Sequence, residues 1–234
     1  MIKTITVGEF LLTEIFNRTS PTFFDIESED LYVKTSLIQL LQDRSSYLIR
    51  INNDEDEANM VDFLKDLYLI GFNLSYDLGT LRFAPKRLDD LFYAVKIAYP
   101  EIQKFSLDNV ANYFKLNYYD GIDKKALQKN RFIRNAYLSQ EQLRYASADT
   151  AILQRLWADP KIQTIIKDNL AYRLGRFSLE ETMVWQNNGM PVLFDTVEKY
   201  RSKAQSEIAR LRQELAIATG KDMNPRSSVQ VKAH

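Results

Sequence analysis

The sequence predicts an α/β fold, a mixed sheet of about five strands with helices on both faces, followed by a segment that is helical throughout. Three observations lead there. Runs rich in aromatic and β-branched residues recur through the first third of the chain, at residues 21–27, 35–41, 46–51 and 68–72. A helical repeat, Met60, Phe63, Leu64 and Leu67, separates the last two of these, so the succession strand, helix, strand requires a crossover. Beyond Pro160 strand signals vanish.

The elements follow in order. Residues 21–27, Pro-Thr-Phe-Phe-Asp-Ile-Glu, read as a short buried strand ending in acids. The polar segment 42–45 between the next two strands has the character of a hairpin connection. Asp54, Glu55, Asp56 and Glu57 precede the helix 58–67, where negative charge favours a helix start. Residues 73–78 turn from the strand 68–72 into a helix, and helices are expected at 89–98, 106–114, 123–130 and 139–157. Ser139 with Gln142 makes a capping box for the last of these, before Asp159-Pro160 interrupts it. A helical run to about residue 188, a Gly189-Met190-Pro191 break and a long helix over 195–219 complete the chain, with Asp195 and Glu198 as a capping pair and Gly220 as the stop. Two architectures therefore meet near residue 160: a domain over 1–158 and a helical segment over 159–234.

Composition narrows the chemistry. The 234 residues carry 31 basic and 31 acidic side chains, no cysteine, and one histidine, His234. Thiolate nucleophiles, zinc ribbons, histidine triads and histidine general bases are excluded. Carboxylates, tyrosine, lysine and oxygen-bound hard metals remain. No apolar run approaches the roughly 20 residues of a bilayer span, and residues 1–16 lack the pattern of a signal peptide. A cytoplasmic protein with no membrane partner is expected. Zero net charge provides no global pull on nucleic acid, so phosphate binding would need local basic patches or metal.

Asp25 and Glu27 lie two apart on a strand and so share a face at the end of the sheet. Asp77 follows at a strand-to-helix junction. Tyr145 and Asp149, four apart on the helix 139–157, point the same way. Each alone has a bland reading as a surface or packing residue. Four carboxylates on one site would bind two divalent cations, Mg2+ or Mn2+, able to activate water and stabilise both oxygens of a phosphodiester displacement without histidine. The basic cluster Lys124, Lys125, Lys129, Arg131 and Arg134, interleaved with Phe132 and Tyr137, reads equally as a solvated helix face or as a guide for a single strand. Tyr118 and Tyr119 offer rings for bases or for packing.

Phe24-Asp25-Ile26-Glu27, then Gly71 to Asp77, then Tyr145-Ala146-Ser147-Ala148-Asp149 resemble, in order, the three exonuclease motifs of the DEDD 3′-5′ exonuclease superfamily, in the subclass whose third motif uses tyrosine. Asn73 before the second motif and the lead-in over 138–146 strengthen the likeness, which covers roughly residues 18–158. Within that superfamily the chain is similar to the proofreading domain of family A DNA polymerases. It shares with RNase D the stretch over 125–130, although Phe132 stands where RNase D relatives often have tryptophan. Residues 181–192 and 223–228 look like the segment linking exonuclease to polymerase in family A enzymes.

The resemblance implies an RNase H-like fold and a proofreading exonuclease acting on single-stranded DNA 3′ ends, with a polymerase domain or subunit as a further partner. Asp25, Glu27, Asp77 and Asp149 would be the metal ligands, Asp25 touching both ions, and Tyr145 would orient the attacking water. Asn73 would support the site or touch substrate; its alternative reading is a helix N-cap. Lys125, Lys129, Arg131 and Arg134 would contact the strand. The sequence carries no polymerase palm motif, so no nucleotide addition is implied. The rival readings are an RNase D-like RNA exonuclease and a catalytically silent binding or docking module.

Overall fold

The computed structural model describes residues 2–13, 16–29, 34–122, 132–189, 193–222, 224–227 and 232. Among them the chain forms a six-stranded sheet: β1 (Ile2–Thr6), β2 (Pro21–Ser28), β3 (Thr35–Gln42), β4 (Ser45–Arg50), β5 (Tyr68–Gly71) and β6 (Arg87–Asp90). Its order is β1-β4-β3-β2-β5-β6. The β2–β3–β4 meander is antiparallel, while β1 on β4, β5 on β2 and β6 on β5 are parallel. The expected α/β class with a mixed sheet is present, and the mixture follows from connection length: a tight hairpin joins β3 to β4, whereas helices carry the parallel crossovers.

The helices are α1 (Val7–Thr13), α2 (Asp54–Leu64), α3 (Leu74–Leu81), α4 (Leu91–Ala98), α5 (Leu107–Tyr113), α6 (Gln140–Trp157), α7 (Pro160–Asp168), α8 (Leu170–Asn188) and α9 (Phe194–Thr219). They cover both faces. Phe24, Ile26, Ile38, Leu40 and Ile49 bury one face of the sheet against α1, α2, α3 and the second half of α8. The opposite face, with Phe23, Leu41 and Ile70, packs on α4, α5, α6 and α7. Such alternation of faces is the period-two geometry of a strand.

Two expectations are revised. Residues 89–98 begin as strand, not helix. Asp89 and Asp90 pair with Ile70 and Gly71 of β5, and the helix starts only at Leu91. β1 was not foreseen; its pairing with β4 adds the sixth strand. One compact unit runs over Met1–Asn188, so that α7 and α8 belong to it, and a second over Gly189–His234. The reason is packing: the Tyr172 hydroxyl of α8 donates to buried Asp89 at 2.7 Å, and Leu179 and Met183 sit in the core. In the second unit α9 starts at Phe194 with Leu193 as its N-cap, so Asp195 lies in the first turn; Gly220 ends the helix at φ 69°, as expected. No described helix is long and apolar enough to cross a membrane.

One buried acid joins these elements at the site. The Asp90 carboxylate accepts from the backbone N–H of Asn73 (2.8 Å) and Leu74 (3.0 Å) at the start of α3, and of Phe92 (2.9 Å) in α4. It caps two helices at once. Burial raises its pKa to about 6, against the pull of those three donors. Asp90→Ala should lower the free energy of unfolding by about 2–4 kcal/mol, the worth of two helix caps made by a charged acceptor. Denaturant titration checks this, and a loss under ~0.5 kcal/mol would contradict it.

Candidate active site

Strand β2 presents Asp25 and Glu27 on the face that α6 covers, while Phe24 and Ile26 go into the core behind. Asp25 pairs with Gln39 of β3 and Glu27 with Leu37, and the ladder shifts register between Glu27 and Ser28. The third acid arrives from α3. Gly71 lets the β5–α3 turn pass close over β2: a Cβ there would lie 3.2 Å from the Phe24 carbonyl oxygen and 2.2 Å from the Leu74 side chain. The turn then uses Asn73 in the left-handed region, φ 63°, which asparagine tolerates. Tyr76 hydrogen-bonds Ser28 at the end of β2 (2.5 Å), fixing α3 to the strand. Asp149 and Tyr145 come from α6, whose start is set by the expected Ser139–Gln142 capping box.

Carboxylate oxygens of Asp25, Glu27 and Asp149 lie within 4.8 Å of one another. Asp77 stands beside them, buried, its carboxylate accepting from the backbone N–H of Ile26. All four line one open cleft of about 430 Å³, together with Asn73 and Tyr145. Burial, then the Asp77, Asp149 and Glu27 charges, push the Asp25 carboxyl well above the usual range. Burial, then Asp149 and Asp77, do the same to Glu27. Asp77 rises to about 8, through burial and then the charge of Asp90. Such mutual elevation marks a site short of positive charge. All-oxygen donors at this spacing, with no cysteine and no histidine before residue 234, suit a hard divalent cation. Asp25, Glu27, Asp149 and Asp77 are the residues that would hold it.

Tyrosine hydroxyls complete the site. The Tyr145 hydroxyl is held protonated by burial and then by Asp149, Glu27 and Asp25. It remains a neutral donor over the acids. Tyr119, which could be read from sequence only as a stacking or packing ring, donates its hydroxyl to Asp149 and stacks on Tyr145 at 5.7 Å. Phe72, Phe92 and Phe105 form an apolar wall of the cleft, with Lys96 over the last two rings. The spread of these residues along the chain left no local signal by which they could be found.

Two of the expected substrate contacts, Arg134 and Asn73, fall among the described residues. The Arg134 side chain is nearly buried, donating to the Thr35 carbonyl (2.8 Å) and pairing with Asp54 and Glu57 at the start of α2. Its guanidinium clamps the loop before α6 to β3 and α2. Asn73 lines the cleft, but its side chain caps nothing; Asp90 caps α3 in its place. Lys124, Lys125, Lys129, Arg131 and the helix expected at 123–130 lie outside the described residues.

A mixed sheet that gathers acids and a protonated tyrosine at its strand ends defines an RNase H-like nuclease that works through divalent metal. The chain belongs to the 3′-5′ exonuclease family, which it matches over residues 7–166, and is of the DEDD type. In fold it is similar to Brucella melitensis NrnC bound to pGG, at 18% identity over 80% of this chain and 90% of that one, with a TM-score of 0.55. It is similar also to Brucella melitensis NrnC with bound Mg2+, at 18% identity over 80% and 90% and a TM-score of 0.52. Trypanosoma brucei RNase D gives 16% identity over 82% of this chain and 74% of that one, with a TM-score of 0.57. No curated protein matches the chain in sequence.

The carboxylate crowding has a measurable sign. Between the ordinary value of 3.8 and about 8, folded Asp77 keeps a proton that the unfolded chain has released. Its contribution to stability is therefore full below about pH 4 and is lost as pH rises to about 8. In chelator, the thermal midpoint of the wild type should fall relative to that of Asp77→Asn across this window. Magnesium should raise the wild-type midpoint more at pH 8 than at pH 5, because the cation competes with protons. A wild-type midpoint that climbs against the variant's from pH 4 to 8 would refute the assignment.

Proposed function

We propose that the protein hydrolyses single-stranded DNA from its 3′ end, releasing nucleoside 5′-monophosphates, as the proofreading module of a family A DNA polymerase in the cytoplasm. The observation that carries the reading is the convergence of the Asp25, Glu27 and Asp149 oxygens beside Asp77, with the Tyr145 hydroxyl held protonated above them. Two magnesium or manganese ions, when bound, supply an acidified water and charge stabilisation for both oxygens of the displacement.

The chain's own residues do the rest. Asp25, Glu27, Asp77 and Asp149 provide hard oxygen donors fixed by three separate elements, β2, α3 and α6. The Tyr145 hydroxyl orients the water that attacks the terminal phosphodiester. As the new P–O bond forms, the bond to O3′ breaks, and the shortened strand leaves with a free 3′-hydroxyl. The wall of Phe72, Phe92 and Phe105 gives the terminal bases an apolar face to stack on. Lys125, Lys129 and Arg131 are proposed to meet the phosphates upstream. The polymerase partner is supported by the resemblance of residues 181–192 and 223–228 to the exonuclease–polymerase link.

A second reading, RNA as substrate, is favoured by one finding: the similar folds include a ribonuclease, RNase D, and NrnC bound to pGG. Degradation of 3′-labelled DNA and RNA strands of one sequence, with magnesium, manganese or chelator, separates the two. Metal-dependent shortening of DNA faster than RNA is expected, and the reverse order would replace the first reading with the second. Asp25→Ala with Glu27→Ala should abolish cleavage, a loss of 10³-fold or more on the order of that for a removed metal site, with folding intact or slightly improved. Tyr145→Phe should slow cleavage by roughly 10- to 100-fold while calorimetry finds cation binding unchanged. Lost cation binding in that variant would overturn the water-orienting role.

A further inference from the structure

Strand β3 carries two buried glutamines that meet opposite circumstances. Gln42 has its full complement: its Oε1 accepts from the Asn17 N–H (2.9 Å), and its Nε2 donates to the Asn17 carbonyl (2.9 Å) and to Thr22 Oγ1 (2.8 Å). It ties the segment before β2 to the sheet. Gln39, three residues earlier on the other face, is fully buried, and neither its Oε1 nor its Nε2 completes a hydrogen bond among the described residues. Burying an amide without partners is unfavourable, and the strand around it is leucine and isoleucine. Packing alone would be served better by leucine.

The position of Gln39 supplies the reason. It is the direct ladder partner of Asp25, so the two side chains rise from the sheet on one face, with Glu27 one step along. Its amide is close enough to both carboxylates to draw their proton affinities down, against the burial that raises them. A carboxylate accepts up to four hydrogen bonds, so a donor on one side leaves oxygens free on the other. Asp25 and Glu27 otherwise repel each other, and nothing else described on β3 at this point can donate to them.

We propose that Gln39 is a positioning residue of the exonuclease site, its Nε2 amide donating across the β2–β3 ladder to Asp25 and Glu27 and holding their free oxygens toward the divalent cation. The inference rests on these acids being the metal ligands. Gln39 acts through them and touches neither water nor strand. Removing it loosens cation binding and leaves affinity for the nucleic acid alone.

The test uses the full chain and Mn2+ by itself, followed by calorimetry, with Gln39→Met as the variant: similar length, no donor. Mn2+ should bind about 10- to 100-fold more weakly, the range for loss of a group that orients a metal ligand. The thermal midpoint in chelator should be nearly unchanged, since the loss of a donor to two acids that bind no metal is offset by removal of a buried polar group. Cleavage should need correspondingly more Mn2+, with KM for the strand unaltered at saturating metal. Gln42→Met should do the opposite, losing stability while Mn2+ affinity stays put. Mn2+ binding by Gln39→Met within twofold of wild type overturns the proposal. So does failure of both Gln39→Met and Gln39→Leu to fold, which would make Gln39 a packing residue. If wild type itself does not bind Mn2+, or binds it as well as the Asp25/Glu27 double alanine does, the metal-ligand reading falls first, and separately.

Discussion

Like charge gathered at one end of a sheet is the constraint on which the rest of this structure turns. Asp25, Glu27, Asp77 and Asp149 open onto a single cleft, and burial and neighbouring acids raise the pKa values of Asp25, Glu27 and Asp77. A flexible scaffold would let them swing apart. Here each is fixed from behind: β2 is a central strand with partners on both sides, α3 is capped by a buried acid, and α6 lies across β2, β3 and β4. The folding energy of two apolar layers holds apart from water what electrostatics alone would disperse.

The same logic explains the adjacent acids of β6. Asp89 and Asp90 point to opposite faces of the sheet's edge. Asp89 accepts from the hydroxyls of Tyr68 and Tyr172 and so fastens α8 to the body. Asp90 turns its oxygens to the N-terminal amides of α3 and α4. Both are nearly inaccessible; Asp90 is stabilised by backbone donors that carry no full charge, whereas Asp89 also pairs with the Arg176 guanidinium at 3.6 Å. Neither lines the cleft, although Asp90 adds to the elevation of Asp77.

What was legible in the sequence had a local pattern. β2, β3 and β4 are rich in aromatic and β-branched residues, and α6 announces its start by a capping box and its end by Asp159-Pro160. Asp25, Glu27, Tyr145 and Asp149 could be placed on shared faces because strand and helix periods are fixed. β6 was hidden because Arg-Leu-Asp-Asp has little strand propensity; its pairing with β5 and the engagement of both aspartates override composition. β1 was hidden because a five-residue edge strand is stabilised by its neighbour rather than by its own pattern. Arg134 looked like surface because a basic run usually is, yet its partners Asp54 and Glu57 sit some 80 residues away in sequence. Asp90 and Tyr119 act through contacts that only the folded chain creates.

The kinds of donor around the acids follow from the task of binding a cation. Among the described residues that line the cleft none is lysine or arginine. The groups that face the carboxylates are neutral: the hydroxyls of Tyr119 and Tyr145, the amide of Gln39, the backbone N–H of Ile26. An arginine there would relieve the repulsion between the acids more fully than any of these, and would occupy the field that draws in a divalent ion. Neutral donors orient carboxylates while leaving the negative potential in place, so repulsion within the protein becomes affinity for metal. Lys96 lies over the Phe92 and Phe105 rings that wall the cleft and is not among the described residues that line it.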